Sequence, residues 1–288
     1  MEYFGESFGV SVEPGAKSSP HTHFTPIHTI FYTMMPATWP ATLVAGAAGG
    51  AAVLTYVAVR RGWLASWFGA SPEIVRSLKL QPWGVLGKQL SATFQLLDGS
   101  TAPDQHVAFV DPAGLPYVRS NSPMGAGAAS RAIYDHVGMS EFPESVRRAV
   151  TEPTHAKFHV YPFLKDTLKH QVIHVVGPDL REPVYDSVDK ARSSLAAAYT
   201  NVLREFCEAK AADGELAGLR LLPISGGVFS GAFSAELPRL TMEAIDLGYQ
   251  AQPPAHRRML SSSQLELCIF LASEFGAYVA AHAVHTGN

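Results

Sequence analysis

Cysteine is nearly absent from the 288-residue chain, with only Cys207 and Cys268 present. They stand far apart and match neither CxxC nor zinc spacing, which excludes a disulfide framework and a cysteine-based zinc site and suits a reducing compartment. Charge is also scarce. Asp, Glu, Lys and Arg make up 16% of the residues, against roughly 25% in an average soluble chain. The hydrophobic share is 47%, so a largely disordered protein is excluded. A formal charge of −3 and a pI near 6.4 leave no diffuse basic field. Double-stranded nucleic acid is therefore not expected as a partner. The length fits one domain plus an extension.

The missing charge has an address. No Asp, Glu, Lys or Arg stands between Lys17 and Arg60. Within that gap, Ala41 to Val59 forms an apolar run close to the ~20 residues that a helix needs to cross ~30 Å of hydrocarbon. Arg60 and Arg61 follow it at once and would hold that end, and all that comes after, on the cytoplasmic side. Gly46 and Gly50 sit at GxxxG spacing, which lets two such helices approach closely. The run is equally readable as a buried Ala/Gly-rich helix of a soluble domain, and both readings stand open. The expected location is cytoplasmic, with a membrane anchor if residues 41–59 span.

A cleaved signal peptide fits poorly, because Glu2, Glu6 and Glu13 precede the run. Residues 1–40 are expected to be a flexible segment containing Pro and His. His21 and His23 have no Cys or acidic partner nearby and read as solvated loop residues. Residues 60–79 form a connector whose Trp63, Trp67 and Phe68 serve as interfacial anchors or as core. The domain proper is expected over residues 80–288.

That domain has an α/β pattern. Four apolar runs read as strands: Val107–Val110, Gln171–Val176, Leu219–Ile224 and Leu265–Leu271. Leu195, Tyr199, Val202, Leu203 and Phe206 share one face of a helix. A shorter helix through Leu240 and Leu247 is expected to stop at Gly248, and a last one to run from about Glu274 to His282. Strands alternating with helices predict a mixed, mostly parallel sheet covered on both faces, a three-layer α/β/α arrangement.

Ligands of such sheets sit beyond the carboxyl ends of the strands. Two loops rich in small residues are expected there. One is Asn121–Ala129, which leads into a helix ending near Gly138. The other is Ser225–Gly231, directly after a strand. Glycines let an anion approach the backbone, and free amides at a helix start favour negative charge. Each loop alone reads as an ordinary turn; two facing each other would clamp a diphosphate. Other candidates read as structural. Asp135 and His136 are adjacent on a helix and point apart, His174 lies inside a buried strand, Ser225 lacks a G-x-S-x-G elbow, and Arg257-Arg258 is solvated charge.

At these residues the chain resembles the macrodomain family of ADP-ribose-binding modules. VAFVD (Val107–Asp111) followed by NSPMGAGAASRAIYDHVG (Asn121–Gly138) is similar to the family's strand, N-A-A-N segment, glycine-rich loop and helix. QVIHVVGP (Gln171–Pro178) resembles its V-I-H-x-V-G-P strand, and LRLLPISGGVFSG (Leu219–Gly231) its second phosphate loop. Leu265–Ala283 has the pattern of the closing strand and helix. The resemblance implies binding of ADP-ribose or a mono-ADP-ribosylated protein. Gly125, Ala126 and Gly127 would line the diphosphate and distal ribose from one side, with Asn121 standing for the second asparagine of N-A-A-N. Ser225, Gly226, Gly227 and Val228 would donate amides from the other side, Phe229 would lie against the distal ribose, and Asp98 would accept from the adenine amino group. No metal or other cofactor is implied.

The chain departs from that family in two respects. Gly114–Ser120 separates Asp111 from Asn121, so N-A-A-N is not intact. Ser130 stands where the hydrolysing members carry an aspartate, and a neutral hydroxyl is a poor base at pH 7. Binding is therefore the first expectation. Hydrolysis of ADP-ribosyl esters, or of ADP-ribose 1″-phosphate, through Asn121 is the alternative, and an interaction protein with a filled groove is the third.

Overall fold

A computed structural model describes residues 73–91, 93, 96–98, 102–162 and 169–287. Residues 1–40, the apolar run 41–59 and most of the 60–79 connector lie outside the described residues. Among the described residues no helix is long and apolar enough to cross a membrane.

The chain order is α1 (Glu73–Ser77), β1 (Lys79–Gln81), β2 (Lys88–Leu90), β3 (Leu96–Asp98), β4 (Val107–Asp111), α2 (Leu115–Arg119) and a 3-10 turn (Pro123–Gly125). Next come α3 (Ala128–Val137), α4 (Glu144–Ala149), β5 (Ala156–Pro162), β6 (Lys169–Val175), α5 (Val188–Ala212), β7 (Gly218–Leu221) and a second 3-10 segment (Gly227–Phe233). The chain closes with α6 (Leu237–Gln250), α7 (Pro254–Ser261), β8 (Gln264–Cys268) and α8 (Ala272–Thr286). Six strands form one sheet in the order β1-β8-β7-β4-β6-β5, and β2 and β3 make a separate antiparallel ribbon. Only β5, at the edge, runs antiparallel to its neighbour. The sheet is thus mixed and mostly parallel, with helices on both sides.

Parallel strands covered on both faces must be apolar throughout. Phe109 and Val110 of β4 and Val172, Ile173 and Val175 of β6 are fully buried, each stabilising the fold by roughly 1.5–3 kcal/mol. The helical periodicity of α5 has the same origin: Leu195, Tyr199, Val202, Leu203 and Phe206 are all buried on one face. Ser187 starts that helix by accepting a hydrogen bond from the Lys190 amide. The core also recruits residues before Leu80, since Ile74, Val75 and Leu78 are buried and Lys79–Gln81 pairs with β8.

Several expected boundaries move: β7 ends at Leu221 rather than Ile224, and β8 at Cys268 rather than Leu271. Helix α6 runs through Gly248 to Gln250 rather than stopping there. A Cβ on Gly248 would lie 3.0 Å from the Thr200 amide nitrogen and 3.2 Å from Tyr199, so this glycine permits α5 and α6 to touch. Gly138, by contrast, does end α3 in the left-handed conformation, with φ 67 and ψ 33.

β1, β8, β7, β4 and β6 all point the same way, so their carboxyl ends share one edge of the sheet. β4 lies between β7 and β6 at the centre. The loops after these three strands therefore leave from adjacent positions.

Candidate functional site

The first loop leaves β4 at Asp111, which is buried and opposite His174 of β6. His174 Nδ1 and Asp111 Oδ2 are 2.7 Å apart, and His174 Nε2 lies 2.9 Å from the Tyr161 hydroxyl. Burial first, and the Asp111 carboxylate second, push the phenols of Tyr134 and Tyr161 well above the ordinary tyrosine range. These groups form a buried polar network that closes the sheet beneath the loop.

Above it, Tyr117 of α2 lays its ring against two glycines. A Cβ on Gly114 would sit 2.7 Å from that ring, and one on Gly125 would sit 3.0 Å from it. Gly125 therefore serves packing. The Gly125 and Ala126 amides donate to Ser122 O and Pro123 O within the turn. Gly127 differs: no atom lies within 4 Å of a Cβ built there, and it is the N-cap of α3, where the first amides lack intrahelical acceptors.

Asn121 is at φ 53, a conformation asparagine tolerates better than most residues. Its Oδ1 accepts the Phe142 amide at 2.7 Å and its Nδ2 donates to Glu141 at 3.3 Å. Its side chain ties the first loop to the segment after α3. Ser130 is also committed, being 6% exposed and donating its hydroxyl to Pro112 O at 3.0 Å.

The second loop follows β7. Ser225 is at φ 62 and Gly227 at φ 61. The buried Ser225 hydroxyl donates to Pro178 O at 2.6 Å, the Gly226 amide is taken by Pro223 O, and Val228 and Phe229 are exposed. The loop after β6 grips this one throughout. The Leu180 amide donates to Phe229 O at 2.9 Å, and Gly231, at φ 52, faces the Arg181 backbone. Arg181 Cζ stands 5.0 Å from the Phe229 ring centroid, and its Nε and Nη2 donate to Asp179 at 2.8 and 2.6 Å. The guanidinium beside it holds the Asp179 carboxyl below the ordinary range.

Of the amides expected to meet an anion, those of Gly125, Ala126 and Gly226 are used inside turns. Those of Gly127, Ser225, Gly227 and Val228 donate to nothing among the described residues. Strain concentrates in the same place. Four described non-glycine residues have positive φ, and three of them, Asn121, Ala128 and Ser225, are on these two loops. Each such conformation costs about 1–3 kcal/mol and tends to persist where function demands it.

Asp98 lies in the separate β2–β3 ribbon, outside the two loops that follow β4 and β7. Its backbone pairs with Lys88 in the β2–β3 ribbon, which is tied at Leu90 to Phe270 and Leu271 beyond β8. The Asp135–His136 dipeptide does point two ways: Asp135 pairs with Arg131 at 2.9 Å, while the His136 ring centroid is 4.5 Å from that of His170. Among the described residues no group of His, Cys, Asp and Glu is gathered that could hold a metal ion. Arg181 and Asp179 escaped the sequence reading, because the Phe229 ring that gives the Arg181 guanidinium its place is brought to it only by the strand order. No protein-family model and no curated protein matches the chain.

Proposed function

We propose that this protein binds ADP-ribose, free or carried on a protein, between the loops that follow β4 and β7, and that the domain is macrodomain-like. The observation that carries the reading is the set of unbonded amides at Gly127, Ser225, Gly227 and Val228, on loops leaving adjacent parallel strands. Amides fixed in this way favour the oxygens of a diphosphate without any reorganisation. Gly127 and Gly227 leave space for such a group, since no atom lies within 4 Å of a Cβ built at either. The quoted motifs supply the identity of the ligand, and the amides supply the physical reason.

Binding is favoured over hydrolysis because the two side chains that would do chemistry are occupied. Ser130 donates to Pro112 O, and both ends of the Asn121 amide hold the segment after α3. Calorimetry tests the reading. ADP-ribose should bind with a dissociation constant in the micromolar range, about −8 kcal/mol. Absence of binding heat at millimolar ligand, with folded protein, would remove the proposal. Release of ADP-ribose from a modified protein by the wild type would replace binding with hydrolysis.

A further inference from the structure

We infer that Arg181 sets the charge requirement of this site, selecting ligands that carry a phosphoryl group over neutral nucleosides; the inference rests on the proposed function. Arg181 belongs to the loop after β6, yet it is held against the second phosphate loop at several points. Its backbone packs on Gly231, the neighbouring Leu180 amide bonds Phe229 O, and its guanidinium lies over the Phe229 ring. Phe229 is the immediate neighbour of Val228 and is two residues from Gly227, the pair of unbonded amides on this loop. A cation is thereby fixed within a short reach of the amides that an anion would use.

The way it is fixed matters as much. Asp179 takes Nε and Nη2, which orients the fork and leaves the Nη1 edge with no acceptor among the described residues. The side chain is 52% exposed, so that edge meets solvent or a ligand. The other arginines near the first loop are spent differently. Arg131 is bound by Asp135 and donates Nη1 to Met124 O, and Arg119 donates to Thr151 O. A guanidinium oriented by a carboxylate and stacked on an aromatic ring loses little freedom on binding an oxyanion. It would hold the phosphoryl group by charge-assisted hydrogen bonds that a neutral nucleoside cannot accept.

The test compares wild type, Arg181→Ala, Arg181→Lys and Asp179→Asn by calorimetry with ADP-ribose, ADP and adenosine, each at low and high salt. Arg181→Ala should weaken ADP-ribose and ADP about tenfold at low salt, leave adenosine unchanged, and flatten the salt dependence of ADP-ribose binding. Arg181→Lys should recover part of the affinity and the salt dependence. Asp179→Asn, which removes the countercharge and one of the two oxygens that orient the fork, should weaken ADP-ribose binding less than Arg181→Ala does and keep the salt dependence. If Arg181→Ala keeps the wild-type affinity and salt dependence, or if Asp179→Asn loses as much as Arg181→Ala, the arginine only braces the loop and the inference fails while the function stands. If wild type binds none of the three ligands, both fall together.

Discussion

At the scale of single residues, small polar side chains do the positioning. Ser225 holds the loop after β6 through its hydroxyl while its strained backbone leaves its own amide unbonded. Asn121 fixes the opposite loop with both ends of its amide. Asn121→Ala should therefore cost about 1–2 kcal/mol of stability, from the lost acceptor of the buried Phe142 amide and from placing alanine at positive φ. Urea denaturation reads this directly, and an unchanged midpoint would show that the side chain does not hold the loop. The sequence made the two glycine-rich loops visible, because small residues next to strand ends have few other uses. It could not apportion their amides, since Ser122, Pro123 and Pro223 accept or ignore a neighbour according to turn geometry that composition does not encode.

At the scale of elements, periodicity was a dependable guide where an element buries one continuous face. The apolar stripe of α5 and the runs in β4 and β6 were all readable for that reason. Edge elements were not. β5 is half exposed, carries Lys157 and His159, and ends in Pro162, so nothing in its pattern separates it from a loop. Gly248 shows the same limit from another side. It looks like a helix stop, but its meaning lies in the backbone of α5 across the interface. A helix-propensity argument predicts that Gly248→Ala stabilises by about 1 kcal/mol. The close approach predicts the opposite, a loss of about 1–3 kcal/mol from overpacking. A thermal or urea midpoint above wild type would contradict the packing shown between α5 and α6.

At the scale of the whole molecule, acid stability follows from histidines kept neutral by burial. Burial, then His170 and Lys88, depress His136 to about 4. Burial also lowers His159 and His170. In the unfolded chain these rings take up protons near pH 6.5, so below that pH the unfolded state binds more protons than the folded one. Stability is then complete above pH 6.5 and is lost progressively as pH falls toward 4. Between pH 6.5 and 5 the loss should be on the order of 1 kcal/mol, after discounting for the partial exposure of these rings and for the opposing effect of Asp246 and Glu274, whose carboxyls burial pushes up. His136→Gln should flatten the dependence, and a wild-type urea midpoint that is level from pH 7 to 5 would refute it. The strand order that gathers the loops is likewise a whole-molecule property. Which strands neighbour β4 decides that the loops after β6 and β7 meet, and no local pattern states that order.

The claim on which the functional account depends is that unbonded backbone amides on two loops receive a diphosphate. Titration of ¹⁵N-labelled full-length protein with ADP-ribose, followed by amide resonances, tests it most directly. The account predicts saturable shifts largest at Gly127, Ser225, Gly227 and Val228, with the turn-bonded amides of Gly125, Ala126 and Gly226 moving less. Saturable shifts confined to other parts of the domain, or no shifts at millimolar ligand, would contradict it.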